Sequence, residues 1–218
     1  MERKTLSRVK RRKHWSDVYA GKSPTEVSWY RAQLTVSLEL IKLAGITRYS
    51  RVIDVGGGAS TLVDDLLREG FQDITVLDIA AAALERAQER LGERAKRVSW
   101  IAGDVTQAGL PPIYDLWHDR AVFHFLTSNF DRRAYLAAVE RALVPGGHLI
   151  IATFGLSGPP RCSGLEVVRY SPSSLWEAVG EQYVLVRDVA ETHVTPRGAA
   201  QDFIYCLFKK GHAPGGSA

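Results

Sequence analysis

The feature that most constrains this chain is an alternation of short apolar, β-branched segments with amphipathic helical patterns between residues 51 and 180. Segments of this kind are typical of strands that are buried in the middle of a sheet. Five such strands are predicted at residues 51–55, 74–77, 98–102, 114–118 and 149–154. Strands that alternate with helices form a parallel sheet with helices on both faces. We therefore expect a doubly wound α/β fold.

Helical segments separate most of these strands. One ends at Gly70, and the next spans about residues 80–91. Asn129 or Asp131 is expected to cap a third helix, and residues 171–172, Ser-Pro, are suited to open the last one. The connections on the two sides of the sheet are therefore helical up to residue 180.

The C-terminal part breaks this alternation. Residues 184–189 and 203–208 read as two strands with no helical pattern between them. A connection of about a dozen residues that contains Pro196 and Gly198 is too short for a helical crossover, so the two strands should pair antiparallel. The prediction is a mostly parallel seven-stranded sheet that ends in an antiparallel hairpin.

The size and charge of the chain indicate one domain with short tails. It has 218 residues, 45% of them hydrophobic, which suits a single core. Residues 1–13 carry a net charge of +6, so the other residues together carry −2. We expect residues 1–13 to be a basic, disordered arm and residues 211–218 to be a disordered tail. Residues 14–210 should form the domain, with cap helices within residues 14–48.

Composition also narrows the environment and the partners. Only Cys162 and Cys206 are present, so neither a disulfide framework nor a metal-ligand spacing is expected. No apolar run approaches the length of a membrane span, and a cytoplasmic location is expected. The basic arm is the part suited to phosphates, and no nucleic-acid partner is expected for the slightly acidic body. The sequence does not determine the oligomeric state.

A glycine-rich turn follows the first strand. Asp54 and Val55 precede Gly56, Gly57 and Gly58 where the strand leads into a helix. Glycine at such a turn lets the backbone approach a ligand closely. A dinucleotide-binding fingerprint would place glycine at position 61, which is threonine here. The turn therefore indicates a ligand site that differs from a nicotinamide site.

Three carboxylates mark the ends of successive strands. Asp54 ends the first strand, Asp78 ends the second, and Asp104 follows the third. Each alone could be a turn or cap residue. Ligands bind at the carboxyl ends of strands in open α/β sheets, and Asp78 stands near the spacing at which an acidic residue meets a ribose hydroxyl. All three beside a glycine turn predict a nucleoside-containing ligand.

These stretches, with residues 143–149, Leu-Val-Pro-Gly-Gly-His-Leu, resemble the class I S-adenosylmethionine-dependent methyltransferases over about residues 50–210. Ser60 stands where the family pattern has its third glycine. The resemblance implies a methyl-transfer enzyme with S-adenosylmethionine as cofactor. It also implies a contact for each cofactor part: the methionine part at Asp54 and the loop glycines Gly56, Gly57 and Gly58, the ribose at Asp78, the adenine at Ile79, Asp104 and Val105, and the sulfonium at Trp29.

The branch of the family remains open. Residues 119–121, Asp-Arg-Ala, resemble the Asp-Arg-Gly of thiopurine-type thiol methyltransferases. They also resemble the Asp-Lys-Gly of lysine methyltransferases that act on elongation factor or citrate synthase. The acceptor is therefore expected to be a small molecule bearing a thiol, selenol or amine, with a protein lysine as the alternative.

Candidate acceptor-site residues follow from the chemistry of each nucleophile. Asp119 could orient an amine, whereas Arg120 or a neutral histidine would favour a thiolate or selenolate. The candidate histidines are His118, His124 and His193, of which His124 could equally pack beneath the cofactor. Cys162 lies in a long loop at residues 155–164 and could touch the substrate. A second loop, residues 192–198, could act as a lid or be an ordinary hairpin connection.

Two rival functions are weaker on the same residues. A non-catalytic binding protein with this fold would have no need of the complete set Asp54, Asp78 and Asp104. An NAD-linked oxidoreductase would need glycine in place of Thr61, and its sheet would continue the alternation of strand and helix.

Overall fold

The computed structural model of the protein describes residues 8–21, 23 and 26–211. Its strands are β1 Arg51–Val55, β2 Asp73–Asp78, β3 Val98–Ala102, β4 Tyr114–Arg120, β5 Leu143–Phe154, β6 Arg161–Cys162, β7 Leu165–Glu166, β8 Tyr183–Val194 and β9 Ala200–Lys210. Seven of them form one sheet in the order β3-β2-β1-β4-β5-β9-β8. Strands β6 and β7 form a separate small hairpin.

The main sheet has the predicted topology. Neighbours among β1 to β5 pair parallel, whereas β9 pairs antiparallel with both β5 and β8. The order places β1 and β4 side by side at the centre, where the chain switches from building one half of the sheet to building the other. The predicted doubly wound sheet with a C-terminal antiparallel hairpin is confirmed.

In the described residues, six α-helices accompany the sheet: α1 Arg8–Gly21, α2 Thr35–Leu43, α3 Leu62–Arg68, α4 Ala81–Leu91, α5 Asn129–Ala142 and α6 Pro172–Val179. Successive strand residues point to opposite faces. On β1, Val52 joins a core formed with α2, α3 and α4, whereas Ile53 joins a core formed with α5 and α6. Two hydrophobic layers therefore hold the sheet, and its carboxyl edge is left for the site.

The N-terminal boundary corrects the expectation of a disordered arm at residues 1–13. Helix α1 begins at Arg8, and the Arg11 side chain is buried and ion-paired. Charge content alone suggested a solvated arm, but the ion pairs of Arg11 hold this segment on the domain. Residues 1–7 lie outside the described residues, as do residues 212–218 of the predicted tail.

The sequence-based predictions were slightly wrong at the start of α5 and at the connection between β8 and β9. Ser128 caps α5, because its hydroxyl accepts a hydrogen bond from the Asp131 backbone N–H at 3.1 Å, so neither Asn129 nor Asp131 is the cap. The connection from β8 to β9 is residues 195–199, shorter than the dozen residues expected, since both strands extend beyond their apolar centres.

Within the described part of the chain, none of the helices combines the length and the apolar composition required to cross a bilayer.

Candidate cofactor and acceptor site

The turn between β1 and α3 forms the floor of the site. Gly56 has a φ of +72°, and a Cβ there would lie 2.1 Å from Cγ2 of Val122. A Cβ at Gly57 would lie 2.2 Å from Oδ2 of Asp54. Both positions therefore exclude any side chain, and the bare backbone forms a cradle beside the strand ends.

Asp78 ends β2 directly beside this turn. Its carboxylate accepts hydrogen bonds from the backbone N–H of Gly58 at 3.1 Å and of Ala80 at 2.9 Å. Burial raises the pKa of Asp78 to about 6, although these two donors lower it. Each oxygen keeps a lone pair beyond the bond it accepts, so the side chain is fixed and still able to accept from a ligand.

Asp54 is the residue before the last of β1, and only 2% of its surface is exposed. Oδ1 lies 2.7 Å from Nδ1 of His118, whereas Oδ2 is buried with no hydrogen-bond partner among the described residues. A buried carboxylate oxygen without a partner is costly. It marks the place where a cationic or hydrogen-donating ligand group would be stabilised.

Asp104 follows β3 and faces the same cleft. One of its oxygens accepts from the backbone N–H and the hydroxyl of Thr106, and the other accepts from Arg11 at 3.1 Å. Burial acts to raise the pKa of Asp104, but the Thr106 hydrogen bonds and the Arg11 guanidinium outweigh it and lower the pKa. Asp104 is therefore an ionised acceptor.

Arg11 is a site residue that sequence reasoning missed. Its guanidinium bridges Asp104 and Asp131, the latter with an N–O distance of 2.9 Å, and all three side chains are about nine-tenths buried. The spacing of Arg11, Trp15 and Tyr19 along α1 puts them on one helical face, which could have revealed this. The runs of positive charge around Arg11 masked that pattern.

Two adjoining cavities form the cleft. The first has about 770 Å³ of space between protein atoms, part of which is open to solvent. Of the predicted site residues it contacts Gly56, Asp78, Ile79, Asp104, Val105, Trp29, Arg120 and Cys162. The second, with about 390 Å³ of such space, is lined by Asp54 and, of the three turn glycines, by Gly56 alone, and it shares Trp29 and Arg120 with the first.

Aromatic side chains form the wall opposite the strand ends. The Trp15 ring lies 4.9 Å from Phe125 and 5.7 Å from Trp29, and Tyr19 lies 6.1 Å from Trp29, with the rings edge to face. All four line the first cavity. Their π faces could stabilise a cation, and together they give the first cavity a largely apolar wall.

Arg120, at the end of β4, lies where the two cavities meet. Its guanidinium donates to the Tyr205 hydroxyl at 2.8 Å and to the Trp29 carbonyl at 2.9 Å, and it stacks 4.7 Å from the Phe203 ring centroid. Its Nη2 is buried without a hydrogen-bond partner in the described structure. Arg120 therefore carries a fixed positive charge and a spare donor at the cleft.

Ala121, the residue after Arg120, stands where the thiopurine-type methyltransferases that this segment resembles have glycine, and its backbone conformation explains that glycine. Ala121 has a φ of +71°, in the left-handed region that costs energy for a residue with a Cβ. Its N–H donates to the Ala152 carbonyl at 2.9 Å, which holds the bend. The bend turns the chain after β4, so that Ala121 and Val122 face the first cavity.

The structure does not place Asp119 at the cleft, and this corrects its expected role in orienting an acceptor. Asp119 is fully buried, and it accepts from the backbone N–H groups of Val122 and Phe123 and from the Tyr135 hydroxyl at 2.6 Å. Burial raises its pKa to about 6 against these donors. Asp119 therefore stabilises the bend after β4 from the buried side.

The three candidate histidines are also fully buried and line neither cavity. His118 lies between Asp54 and Ser37. His124 packs against Phe125 and Phe154, and burial followed by the Arg120 charge lowers its pKa to about 3. The alternative that His124 simply packs in the core fits this geometry.

His193 and the second loop lie away from the cleft. Nε2 of His193 is 2.7 Å from the Ser28 carbonyl, which ties β8 to the segment before α2, and burial is the main cause of its lowered pKa. Residues 192–194 belong to β8, and in the described structure no residue of 192–198 lines either cavity. This geometry favours an ordinary connection over a lid.

The loop predicted at residues 155–164 does reach the first cavity. Cys162 lies on β6, is 5% exposed and lines the first cavity, as the candidate role in substrate contact requires. Tyr30 and Arg31, which the sequence analysis did not select, line the second cavity, and Arg31 forms an ion pair with Glu191. Their position directly after Trp29 was an available signal.

Comparison with known proteins finds sequence matches to part of this chain. A family model described as a methyltransferase domain matches residues 53–149. Nodulation protein S of Rhizobium tropici is 28% identical over 113 residues, 52% of this chain and 45% of that protein. An eEF1A lysine and N-terminal methyltransferase of Mus musculus is 30% identical over 138 residues, 63% of this chain and 19% of that protein. The chain thus spans less than half the length of these curated relatives.

A solved structure extends the likeness in fold to the whole chain. The 1,6-didemethyltoxoflavin-N1-methyltransferase of Burkholderia thailandensis, with bound 1,6-didemethyltoxoflavin and S-adenosylhomocysteine, superposes with a TM-score of 0.69. It is 18% identical, and the match covers 97% of this chain and 93% of that one. By sequence, residues 53–149 are similar to a methyltransferase domain, and by fold the chain is similar to this S-adenosylhomocysteine-bound methyltransferase.

Proposed function

We propose that this protein transfers a methyl group from S-adenosylmethionine to a small nucleophilic molecule. The observation that carries the proposal is the convergence of three strand-end carboxylates and a side-chain-free glycine cradle on one cleft with an aromatic wall. Each of these features is suited to bind one chemical group of S-adenosylmethionine.

The strand-end residues fit the donor part by part. Oδ2 of Asp54, buried and lacking a partner in the described residues, suits the ammonium group of the methionine part. Asp78 suits the ribose hydroxyls, since its oxygens are held by backbone donors and retain lone pairs. Asp104 suits the adenine amino group, and Ile79 with Val105 suits the faces and edge of the ring.

The second cavity fits the remaining charge of the methionine part. Its lining includes the guanidinium-bearing residue Arg31 near the turn that starts α3. A carboxylate there would be close to Arg31 and to the backbone of the glycine turn. Residues of both cavities would therefore hold the donor, with the aromatic ring of Trp29 suited to its sulfonium.

When bound, S-adenosylmethionine supplies a methyl group made electrophilic by its sulfonium. The protein has to align the acceptor with the methyl–sulfur bond and exclude water, and such positioning accounts for much of the rate in this kind of reaction. Trp15, Trp29 and Phe125 form an apolar wall that excludes water from this region. Arg120 attracts and orients a nucleophile that carries negative charge.

The charges in the cleft favour a small, anion-forming acceptor over a protein lysine. The carboxylates of the cleft belong to the strand-end wall, where they suit the donor, and Asp119 is buried away from it. A lysine ammonium approaching Arg120 would meet a like charge. A thiolate, selenolate or phenolate would meet a complementary one.

The first test is thermal unfolding with S-adenosylhomocysteine, with NADH and without ligand, because a ligand that binds only the folded state raises its stability. We expect a higher melting temperature with S-adenosylhomocysteine alone. A rise with NADH alone would contradict the proposal, and no rise with either would favour a non-catalytic protein.

The second test measures methyl transfer to a panel of thiols, selenols, phenols and amines, and to lysine-containing proteins. The variants are Arg120→Lys, which keeps the charge, and Arg120→Met, which keeps much of the volume. We expect turnover of a small acceptor that Arg120→Met reduces more than Arg120→Lys does. Methylation of a protein lysine with no small acceptor would move the lysine alternative to first place.

A further inference from the structure

A buried chain of three polar side chains runs beneath the cofactor end of the cleft. Nε2 of His118 lies 2.9 Å from Oγ of Ser37, and Nδ1 of His118 lies 2.7 Å from Oδ1 of Asp54. The three residues come from α2, β4 and β1, and each is at most 2% exposed. Elements far apart in sequence therefore converge on one carboxylate.

This chain differs in purpose from a nucleophilic Ser-His-Asp triad. A nucleophilic serine has to reach the substrate. Ser37 is fully buried and lines neither cavity of the described structure, whereas Asp54 lines the second one. Any influence of the chain on a ligand therefore passes through Asp54.

The ring nitrogens of His118 connect the other two side chains. Nδ1 can donate to Oδ1 of Asp54, and Nε2 can accept from the Ser37 hydroxyl. The histidine is held at both ring nitrogens, and it holds Oδ1 of Asp54 in turn.

The arrangement leaves one oxygen of Asp54 in a defined place. Oδ2 has no hydrogen-bond partner among the described residues, and it lies so close to Gly57 that a Cβ there would be 2.2 Å away. Rotation of the carboxylate would break the His118 contact on Oδ1. Oδ2 is therefore directed at the glycine cradle, where it can accept from a ligand.

We propose that His118, itself held by Ser37, is a positioning residue that fixes the Asp54 carboxylate so that Oδ2 can bind the primary ammonium of the donor's amino-acid part. The inference rests on the proposed function, because it concerns how that cofactor is recognised. It makes His118 a determinant of amino-acid recognition, while the nucleoside part is bound independently through Asp78 and Asp104.

The test compares two ligands that differ in the amino-acid part. S-adenosylhomocysteine carries the ammonium, and 5′-methylthioadenosine has the same nucleoside without it. Calorimetric affinities for both are measured on the wild type, on His118→Asn and on His118→Gln. The Asn amide nitrogen can replace Nδ1 as the donor to Asp54, whereas the Gln amide extends toward Ser37 and leaves Oδ1 without its donor.

We expect His118→Gln to weaken S-adenosylhomocysteine about tenfold, since a hydrogen bond to a charged group is lost, and to leave 5′-methylthioadenosine within about twofold. His118→Asn should stay within about threefold of the wild type for both ligands. Equal weakening of both ligands in His118→Gln would indicate a packing role and overturn the inference. Unchanged affinity for S-adenosylhomocysteine would overturn it too.

Ser37→Ala keeps the test decisive if the glutamine variant does not fold. It removes the hydroxyl at Nε2 and leaves the His118–Asp54 contact in place, so we expect about threefold weaker S-adenosylhomocysteine and unchanged 5′-methylthioadenosine. Equal changes for the two ligands would again contradict the inference. A wild type that binds 5′-methylthioadenosine but not S-adenosylhomocysteine would refute the ammonium assignment, whereas a wild type that binds neither would refute the proposed function itself.

Discussion

The two walls of the cleft are built in different ways. The strand-end wall carries Asp54 and Asp78 on central strands whose backbone groups are paired in the sheet on both sides. The opposite wall includes α1, which presents Arg11, Trp15 and Tyr19 inward and a largely charged surface outward. It is held by aromatic contacts and by the ion pairs of Arg11.

This difference separates what the fold requires from what the ligand requires. The sheet would form without α1, because its two hydrophobic layers come from α2 to α6. Free energies of local opening vary across a protein, and peripheral elements lie at the low end. Changes in the strand-end wall should therefore alter both stability and binding, whereas changes in α1 should alter binding with little loss of core stability.

Asp78→Ala should have the largest effect, because it acts on the wall where fold and ligand coincide. It removes the proposed acceptor of the two ribose hydroxyls, which should weaken S-adenosylhomocysteine by about 1.5–3 kcal/mol, the range for hydrogen bonds to charged groups. It also leaves the Gly58 and Ala80 N–H groups without their acceptor. Calorimetry should give the lower affinity, and thermal unfolding should give a lower melting temperature.

A matched control for Asp78→Ala is Asp188→Ala, which removes an exposed carboxylate from β8. Neither affinity nor melting temperature should change appreciably in the control. An affinity that Asp78→Ala leaves intact would remove the ribose assignment.

Truncation tests the α1 wall. Deleting residues 1–13 removes Arg11 and the first turns of α1, so S-adenosylhomocysteine should bind about tenfold more weakly, in line with the loss of one charge-assisted contact. A disordered arm outside the fold, which the charge content predicts, would instead leave the affinity unchanged. Deleting residues 1–7 leaves every described contact in place and is the control.

Arg11→Ala and Arg12→Ala refine the truncation, since they are adjacent arginines of which only Arg11 is buried. Breaking the pairs to Asp104 and Asp131 should increase proteolysis and hydrogen exchange within α1, while the melting temperature falls little. A cooperative loss of the whole fold in Arg11→Ala would show that α1 is as integral as the strands.

The two walls also differ in how far the sequence could predict them. Asp54, Asp78 and Asp104 were identified because each directly follows a run of apolar residues, and the ends of parallel strands meet at one edge. Arg11 was not identified from the sequence, because a buried cation leaves no apolar pattern and its partner Asp131 lies 120 residues away.

The residues considered for the acceptor show the same limit of sequence-based prediction. His118 and Asp119 stand at a strand end just as Asp78 does, so sequence position alone made them candidates for the site. Whether such a side chain points into the cleft or into the core depends on the bend at Ala121 and on the hydroxyl of Tyr135. Tertiary partners of this kind are not encoded in local periodicity, whereas the seven strands are.

Acidification should affect the two walls differently. Asp78 has a folded-state pKa raised to about 6, so it becomes protonated as the pH falls below 6, and S-adenosylhomocysteine affinity should fall several-fold by pH 5. The pKa of Asp104 is lowered, so its pair with Arg11 should persist there. Asp78→Asn should flatten this part of the pH profile.

Stability of the ligand-free protein should move the opposite way. Because the folded protein binds more protons than the unfolded chain between about pH 4 and 6, its free energy of unfolding should decrease as the pH rises through that window. Asp119, whose pKa burial also raises to about 6, should contribute in the same direction. Chemical denaturation across this range checks the sign, and a parallel fall of affinity and stability on acidification would contradict the assignment of Asp78.

Ser60→Gly should have the smallest effect and tests the glycine turn itself. It restores the third glycine of the family pattern. The Ser60 hydroxyl accepts from the Leu62 N–H at 3.1 Å at the start of α3, and loss of such a capping bond to glycine costs only a few tenths of a kcal/mol. The melting temperature should therefore fall slightly while S-adenosylhomocysteine affinity stays unchanged. A gain in affinity would mean that Ser60 holds the cradle away from its best geometry, and the strand-end wall would then be less rigid than its hydrogen bonds indicate.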